Sequence, residues 1–185
     1  DKEIIFTRGT TESINLLART VGDSLKPGDQ ILISVMEHHS NIVPWQLTAK
    51  RTGATLSYIP INDSGELDLS TLDQYLTANT KIVSLTHMSN VLGTINPIKK
   101  IAKLTKNIGA VFIVDGAQGA CHSSVNVQDL GCDFYAFSGH KMLGPTGVGV
   151  LWGKTELLNQ MAPFMGGGEM IKTVTMDKST WNDIP

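Results

Sequence analysis

The sequence predicts an α/β protein with three layers (α/β/α), in which helices cover both faces of a mostly parallel sheet. Short apolar runs alternate with segments of helical periodicity, and this alternation is typical of a parallel sheet built from strand and helix units. Some runs, including 110–114 and 134–138, are continuously apolar, as strands buried on both faces are. In such folds, binding sites lie beyond the carboxyl ends of the strands.

The first part of the chain predicts a β-α-β unit. A short run with β-branched residues, 3–7, is followed after Gly9 by a helix that begins behind Thr10 or Thr11 as its cap. The apolar positions of that helix are Ile14, Leu17, Ala18, Val21 and Leu25. Lys-Pro-Gly-Asp then breaks the helix, and 30–35 is the next predicted strand.

The rest of the chain continues the alternation. The predicted elements are a helix over 41–52, a strand over 54–61, a helix to about Ala78, a strand over 81–86, a helix after Pro97, strands over 110–114 and 134–138, and a last strand over 148–152. Ser70 and Asp73 form a capping-box pair ahead of the second of these helices. Pro97 fits the first position of the third, and Gly109 lies just past its end. The segment after Gly168 has no clear place in the sheet.

Composition limits the kind of protein. A chain of 185 residues fills one domain, and a net charge of −2 without long runs of lysine or arginine disfavours nucleic-acid binding. No apolar run approaches the length that crosses a bilayer, and 1–3 leads directly into a strand rather than a signal peptide. Cys121 and Cys132 fit neither a disulfide framework nor a metal site, so a reducing cytoplasm is the expected location.

Lys141 is the first candidate functional residue. It follows the apolar run 133–137 and precedes the glycine-rich segment 144–149, so its amine lies at a predicted strand end beside permissive backbone. A lysine that loses its solvation there also loses its proton readily, and a neutral amine forms a Schiff base with an aldehyde. A solvated surface lysine is the alternative interpretation.

Asp115 is the second candidate. It closes the apolar run 110–114 and opens the turn sequence Gly116-Ala117-Gln118-Gly119. A Schiff-base lysine and an acid that faces the pyridine nitrogen are the two protein groups that pyridoxal 5'-phosphate (PLP) chemistry requires. An aspartate at such a position is otherwise a turn former.

Two threonines and two histidines supply further candidates. Thr10 and Thr11 stand at a helix start, where N–H groups, hydroxyls and the helix dipole bind phosphate, although plain N-capping is a compatible alternative. The adjacent His38 and His39 could indicate a metal, but no third ligand lies at useful spacing, so no metal is predicted.

Five short motifs occur in one order along the chain. They are Arg8-Gly9-Thr10-Thr11-Glu12, Glu37-His38-His39-Ser40-Asn41, Ser89-Asn90-Val91-Leu92-Gly93, Asp115-Gly116-Ala117-Gln118 and Ser138-Gly139-His140-Lys141. In this order and spacing the chain resembles the class V aminotransferase family of PLP enzymes, and within it most closely the SufS-type (group II) cysteine desulfurases and selenocysteine lyases. The resemblance runs from Asp1 to Pro185.

The resemblance implies PLP as cofactor and assigns roles around it. It places the ring of His38 against the cofactor and makes this histidine a proton carrier, and it places Asn90 and Gln118 near the cofactor's ring hydroxyl. Ser138 and His140 would complete the phosphate cradle. The implied catalytic residues are Lys141 and His38, and the implied cofactor-binding residues are Thr10, Thr11, His38, Asn90, Asp115, Gln118, Ser138, His140 and Lys141.

The resemblance also implies the fold type and the extent of the domain. Residues 1–185 would be the central part of the PLP-binding large domain of fold type I, without the N-terminal segment and the small C-terminal domain of the family. In the family, that C-terminal domain carries the sulfur-accepting cysteine, whose motif neither Cys121 nor Cys132 matches. Both are therefore expected to be buried structural thiols, and the isolated chain is expected to be inactive.

The implied activity of the full-length protein is cysteine desulfuration. L-cysteine becomes alanine while its sulfur passes to a protein thiol and on to a sulfur-acceptor protein, for iron-sulfur cluster assembly. The resemblance suggests a cytoplasmic homodimer, without nucleic-acid or membrane partners. A selenocysteine lyase, another class V aminotransferase and a non-catalytic domain that never holds PLP remain alternatives.

Overall fold

A seven-stranded sheet forms the centre of the protein in a computed structural model that describes residues 2–184. Its strands are β1 (Ile4–Thr7), β2 (Gln30–Ser34), β3 (Thr55–Ile59), β4 (Thr80–Thr86), β5 (Val111–Asp115), β6 (Phe134–Ser138) and β7 (Gly149–Gly153). Their order across the sheet is β1-β7-β6-β5-β4-β2-β3. Strands β2 to β6 are parallel, and β7 is antiparallel to both of its neighbours.

Helices cover both faces of this sheet. They are α1 (Thr10–Thr20), α2 (Val43–Thr52), α3 (Leu72–Tyr75), α4 (Ile98–Asn107), α5 (Gly119–His122), α6 (Val127–Leu130) and α7 (Thr155–Leu158). Ile14 of α1 and Trp45 of α2 belong to one apolar core, whereas Ile98 and Ile101 of α4 belong to a second core on the other face. Each fully buried side chain of this size contributes about 2 kcal/mol through the hydrophobic effect. The predicted three-layer fold is confirmed.

Strand β1 lies elsewhere than the β-α-β prediction implies. It pairs antiparallel with β7, at the opposite side of the sheet from β2. Two glycines permit this pairing, because a Cβ on Gly149 would lie 2.4 Å from the Cα of Gly9. Such a distance excludes any side chain, so the backbones of the turn after β1 and of β7 are in direct contact.

The predicted helix start signals fail at two places. Ser70 does not cap a helix, because its hydroxyl donates to Asp68, and α3 is a single turn with no side-chain cap. The cap of α1 is Gly9, at a φ of 149°, and neither Thr10 nor Thr11 serves as the cap. The hydroxyls of these residues form hydrogen bonds with groups outside the helix instead of capping its first turn.

The last described segment stands apart from the large sheet. Strands β8 (Ile171–Val174) and β9 (Ser179–Trp181) form an antiparallel hairpin with no other strand beside it in the described chain. This agrees with the lack of a predicted place for the segment after Gly168. Between residues 2 and 184, none of the helices is sufficiently long and apolar to span a bilayer.

Candidate functional site

One cavity of about 350 Å³ lies where β2, β4, β5 and β6 end. All nine residues predicted for the site line it: Thr10, Thr11, His38, Asn90, Asp115, Gln118, Ser138, His140 and Lys141. The lining also includes His39, Ser40, Thr86, Met88 and Ala117. The volume is within the range of small-molecule sites. Parallel strands bring these residues together because their carboxyl ends share one edge of the sheet.

Lys141 lies in the short 3-10 turn Gly139–Met142 that directly follows β6. Its side chain is half-buried, and within residues 2–184 it forms no ion pair. The turn ends at Leu143, whose φ of 61° is unusual for a residue with a side chain. A half-buried amine that lines a cavity differs from the solvated surface lysine considered as the alternative.

Asp115 is the last residue of β5 and is only 3% exposed. One carboxyl oxygen, Oδ1, accepts a hydrogen bond of 2.9 Å from the Ala117 N–H. The other oxygen has no hydrogen-bond partner among the described residues, so it can accept a bond from a ligand. Burial raises the pKa of Asp115, and the Ala117 N–H and the positive charge of Lys141 oppose that rise.

The hydroxyl side of the cavity is built around the start of α1. The Thr10 N–H donates to Ser138 Oγ at 2.9 Å, and the two hydroxyls are hydrogen bonded at 2.9 Å. When Thr10 Oγ1 donates in this pair, the hydroxyl hydrogen of Ser138 stays available to an anion. Gly9 permits this contact, because a Cβ there would approach Ser138 Oγ to 3.1 Å at a strained φ.

His38 follows β2 and caps the short 3-10 helix His39–Asn41. Its Nδ1 accepts from the Ser40 N–H at 3.2 Å and is 3.0 Å from the Ser40 hydroxyl. The proton of the neutral ring is therefore on Nε2. The pKa of His38 is lowered, first by burial and then by the charges of His39 and Lys141.

Three of the remaining predicted residues present uncommitted polar groups. Asn90 and His140 are exposed and Gln118 is half-buried. Their side chains make no hydrogen bonds to other residues in the described part of the chain, so all three are available to a ligand in the cavity.

Sequence reasoning missed a buried polar network beside the cavity. It consists of Ser34, Glu37, Asn41, Trp45 and Ser84. Asn41 donates to Glu37 Oε2 at 2.7 Å, and its Oδ1 accepts from Trp45 Nε1 at 2.9 Å and from the Ser84 hydroxyl at 2.6 Å. Ser34 donates to the other oxygen of Glu37.

Glu37 is the titratable member of this buried polar network. Burial raises its pKa to about 7, although hydrogen bonds from Ser34 and Asn41 lower it, and the nearby Asp115 contributes a further rise. The network therefore places a carboxyl group that ionises near neutral pH directly before His38. Ser40, which lines the cavity, was also absent from the predicted site residues. The only sequence signal for Glu37 and for Ser40 was that both belong to the motif Glu37-His38-His39-Ser40-Asn41.

The two cysteines differ from each other. Cys132 is fully buried, and burial, followed by the charge of Asp133, raises its pKa to about 12. Cys121 is half-buried rather than buried, and its thiol donates to Gln118 O at 3.1 Å. It lies at the end of a single-turn helix, α5, which is too short to enclose it.

Over residues 2–184, no three histidine, cysteine or acidic side chains come together as a metal-binding group.

The residues of the cavity fit PLP chemically. PLP carries an aldehyde, a pyridine nitrogen and a phosphate, and the cavity offers a counterpart for each. Lys141 provides an amine, the uncommitted oxygen of Asp115 provides an acceptor for a protonated ring nitrogen, and the start of α1 provides N–H and hydroxyl donors. Fold and cavity together define a ligand-binding α/β protein whose site lies at the carboxyl edge of a parallel sheet.

Comparisons with known proteins identify the family. A family model described as aminotransferase class-V matches residues 1–185. A protein of Halalkalibacterium halodurans named "Probable cysteine desulfurase" is 55% identical over 185 residues, which are 100% of this chain and 46% of the relative. A cysteine desulfurase of Dickeya dadantii is 52% identical over 97% of this chain and 44% of its own length. The chain belongs to the class-V aminotransferase family.

Solved structures show the same relationship. The crystal structure of the cysteine desulfurase CsdA from Escherichia coli superposes with a TM-score of 0.96 at 46% identity, and it covers 100% of this chain and 46% of CsdA. The apo cysteine desulfurase from Thermococcus onnurineus NA1 gives a TM-score of 0.94 at 42% identity, again over 100% of this chain and 46% of the other. The chain thus spans a little under half the length of the relatives it matches.

Proposed function

We propose that this chain is the central, cofactor-binding part of a PLP-dependent cysteine desulfurase of the SufS type. The observation that carries the proposal is one cavity that is lined by the amine of Lys141, the buried carboxyl group of Asp115 and the first residues of helix α1. The names of the relatives support cysteine as the substrate. The whole protein would convert L-cysteine to alanine and deliver sulfur through a protein thiol to an acceptor protein, for iron-sulfur cluster assembly, as a cytoplasmic homodimer.

Bound PLP supplies an aldehyde carbon that an amine can attack and a ring that withdraws electrons from the substrate's α carbon. Lys141 is the amine that attaches the cofactor. Asp115 would hold a proton at the pyridine nitrogen through a charge-assisted hydrogen bond, which its burial would strengthen. Asn90 and Gln118 offer hydrogen bonds to the ring hydroxyl.

The start of α1 binds the phosphate. Thr11, Ser138 and His140 provide side-chain donors around it, and Thr10 orients Ser138 through its own N–H and hydroxyl. The positive end of the α1 dipole adds to the attraction for a dianion. His38 would be the aromatic ring beside the cofactor, and it would carry a proton on Nε2, because Nδ1 accepts from the Ser40 N–H.

The sulfur-accepting thiolate must come from outside residues 1–185. Cys132 cannot serve, because its pKa of about 12 keeps it a thiol at neutral pH and its side chain is buried. Cys121 hydrogen bonds to the backbone of its own turn and does not line the cavity. We therefore expect the chain of 185 residues to bind PLP without forming alanine from cysteine.

The attachment of the cofactor is tested on the full-length protein. We expect an absorbance band in the near-ultraviolet and visible range that borohydride removes, and a pyridoxyl group on the peptide that contains Lys141. Lys141→Ala abolishes both, whereas the exposed Lys178→Ala leaves both unchanged. The absence of any band at saturating PLP contradicts the proposal and favours a non-catalytic domain.

The reaction is tested by supplying substrates to the same protein. With L-cysteine we expect alanine and sulfide in equal amounts when a thiol reductant is present. Amino transfer to a keto acid without sulfide would indicate another class V aminotransferase. Turnover of selenocysteine but not of cysteine would indicate a selenocysteine lyase.

A further inference from the structure

Three side chains form a hydrogen-bonded row along one wall of the cavity. Thr11 Oγ1 is 2.9 Å from Ser40 Oγ, and Ser40 Oγ is 3.0 Å from His38 Nδ1. Thr11 belongs to α1, whereas Ser40 and His38 belong to the loop after β2, and all three line the cavity. We call these three residues the hydroxyl row.

In the absence of an anion, the hydrogen bonds of the hydroxyl row all donate in the same direction, toward His38. The Ser40 N–H donates to His38 Nδ1, so this nitrogen carries no hydrogen. The Ser40 hydroxyl must then donate to Nδ1 as well, since two acceptors at 3.0 Å would repel each other. It follows that the Thr11 hydroxyl donates to Ser40, and each hydroxyl hydrogen points toward His38.

An anion at Thr11 requires the opposite direction. A hydroxyl has a single hydrogen, so a Thr11 hydroxyl that donates to a phosphate oxygen can only accept from Ser40. Ser40 Oγ then turns lone pairs toward His38 Nδ1, and this nitrogen can hold a proton and donate it to Ser40. The Ser40 N–H, which still faces Nδ1, opposes the change and limits its size.

We propose that Ser40 is a positioning residue that couples the occupation of the phosphate contact at Thr11 to the protonation of His38. The proposal deepens the proposed function and rests on Thr11 being a phosphate contact. Binding of the phosphate group would thus prepare the histidine to hold a second proton, through a reversal of the hydroxyl row. Ser40 itself contacts neither the substrate nor the reacting atoms in this role.

Other charges also act on His38 and must be separated from the hydroxyl row. The titratable groups that line the same cavity or adjoin the ring are Glu37, His39, Asp115, His140 and Lys141. The rings of His38 and His39 are tilted by 35° to each other with centroids 3.8 Å apart, and the charges of His39 and Lys141 both lower the pKa of His38. A phosphate dianion raises that pKa by direct attraction in any variant, with or without Ser40.

The test compares two rises in the pKa of His38, measured by NMR on the full-length apoprotein labelled at histidine. Inorganic phosphate is the probe, and its binding is measured separately by calorimetry. We expect phosphate to raise the pKa more in the wild type than in Ser40→Ala, by about half a unit or more, which is the effect of one modest hydrogen bond. Ser40→Thr retains a hydroxyl and should restore the larger rise, and the exposed Ser64→Ala should match the wild type.

The possible results are distinct. Phosphate binding with equal rises in the wild type and Ser40→Ala overturns the coupling and leaves the phosphate site intact. If phosphate fails to bind the wild type, the phosphate contact at Thr11 and the coupling are both wrong. Thr11→Val, which lacks the hydroxyl, should lose the excess rise like Ser40→Ala, so the proposal remains testable if Ser40→Ala does not fold.

Discussion

The buried polar network and the hydroxyl row use the same kinds of hydrogen bond in opposite surroundings. Asn41 and Ser84 in the network are fully buried, so their side chains cannot exchange these hydrogen bonds for bonds to water. Thr11 in the row is exposed, and its hydroxyl can exchange partners with water or a ligand. We therefore expect the hydrogen bonds of the buried polar network to contribute mainly to the stability of the fold. Those of the hydroxyl row should contribute mainly to ligand binding. Four substitutions test this difference.

The largest effect is expected from Asn41→Ala. It leaves Trp45 Nε1, the Ser84 hydroxyl and Glu37 Oε2 without their shared partner in a site closed to water. We expect the free energy of unfolding to fall by about 4 kcal/mol, measured by urea denaturation of the full-length protein. The exposed Asn79→Ala is the matched control and should change it by less than about 0.5 kcal/mol. A loss below about 1 kcal/mol in Asn41→Ala would remove the contrast between the two regions.

Glu37→Gln is expected to change how stability depends on pH. The pKa of Glu37 is raised from about 4.5 to about 7, so between these values the folded state binds more protons than the unfolded state. Wild-type stability should therefore fall by about 3 kcal/mol from this group as the pH rises from 4.5 to above 7. Gln does not titrate, and its one carbonyl oxygen can still accept from Asn41, while its NH2 group faces Ser34, whose hydroxyl must then accept instead of donate.

The measurement is the difference in unfolding free energy between wild type and Glu37→Gln at several pH values. This subtraction removes the part of the Asp115 contribution that does not depend on Glu37, and the mutual effect of the two carboxyl groups stays in the difference. We expect Glu37→Gln to become the more stable of the two above pH 7. Parallel pH curves would show that Glu37 does not titrate in this range.

Ser138→Ala should have an effect on stability between those of the buried polar network and the hydroxyl row, because Ser138 is buried and also lines the cavity. Its loss leaves the Thr10 N–H without an acceptor where both residues are at most 6% exposed. We expect a decrease of about 1 to 2 kcal/mol in the free energy of unfolding, together with weaker PLP binding. The exposed Ser179→Ala is the control and should change neither property. If Ser138→Ala weakens PLP binding without lowering the free energy of unfolding, Ser138 acts on the ligand only, as we expect for the residues of the hydroxyl row.

The smallest effect on stability is expected from Thr11→Val. The variant preserves the shape of the side chain and removes an exposed hydroxyl, so the free energy of unfolding should change by less than about 0.5 kcal/mol. The affinity of the full-length apoprotein for PLP should fall about tenfold through loss of a charge-assisted hydrogen bond. Absorbance titration measures this, with Thr173→Val as control. Unaltered affinity would contradict a phosphate contact at Thr11.

Sequence reasoning located the strands and the positions of Lys141 and Asp115 for a physical reason. Continuous apolar runs mark strands buried on both faces, and the carboxyl ends of parallel strands meet at one edge, so residues after separate runs must be neighbours. The roles of these residues toward PLP remain predictions until the tests described above.

Other features depend on information that no local pattern contains. Ser34 and Asn41 are near Glu37 in the chain, but Ser84 belongs to β4 and lies 43 residues from Asn41, and no spacing predicts that these two side chains meet. The neighbour of β1 is set by contact between Gly9 and Gly149, far apart in the chain. Ser70 is a different case: it satisfies a helix-start rule, but a second local pattern applies, because its hydroxyl donates to Asp68 two residues earlier.

The pairing of β1 with β7 affects the order of events during synthesis on the ribosome. Ile4 pairs with Trp152, and the large sheet gives β1 no other neighbour. At ordinary translation speeds, roughly seven to thirty seconds separate the emergence of the two strands. Through that interval the nascent β1, with the apolar Ile4 and Phe6, is an unpaired edge that a chaperone can bind. The parallel strands β2 to β6 are all synthesised before β7 and can associate earlier.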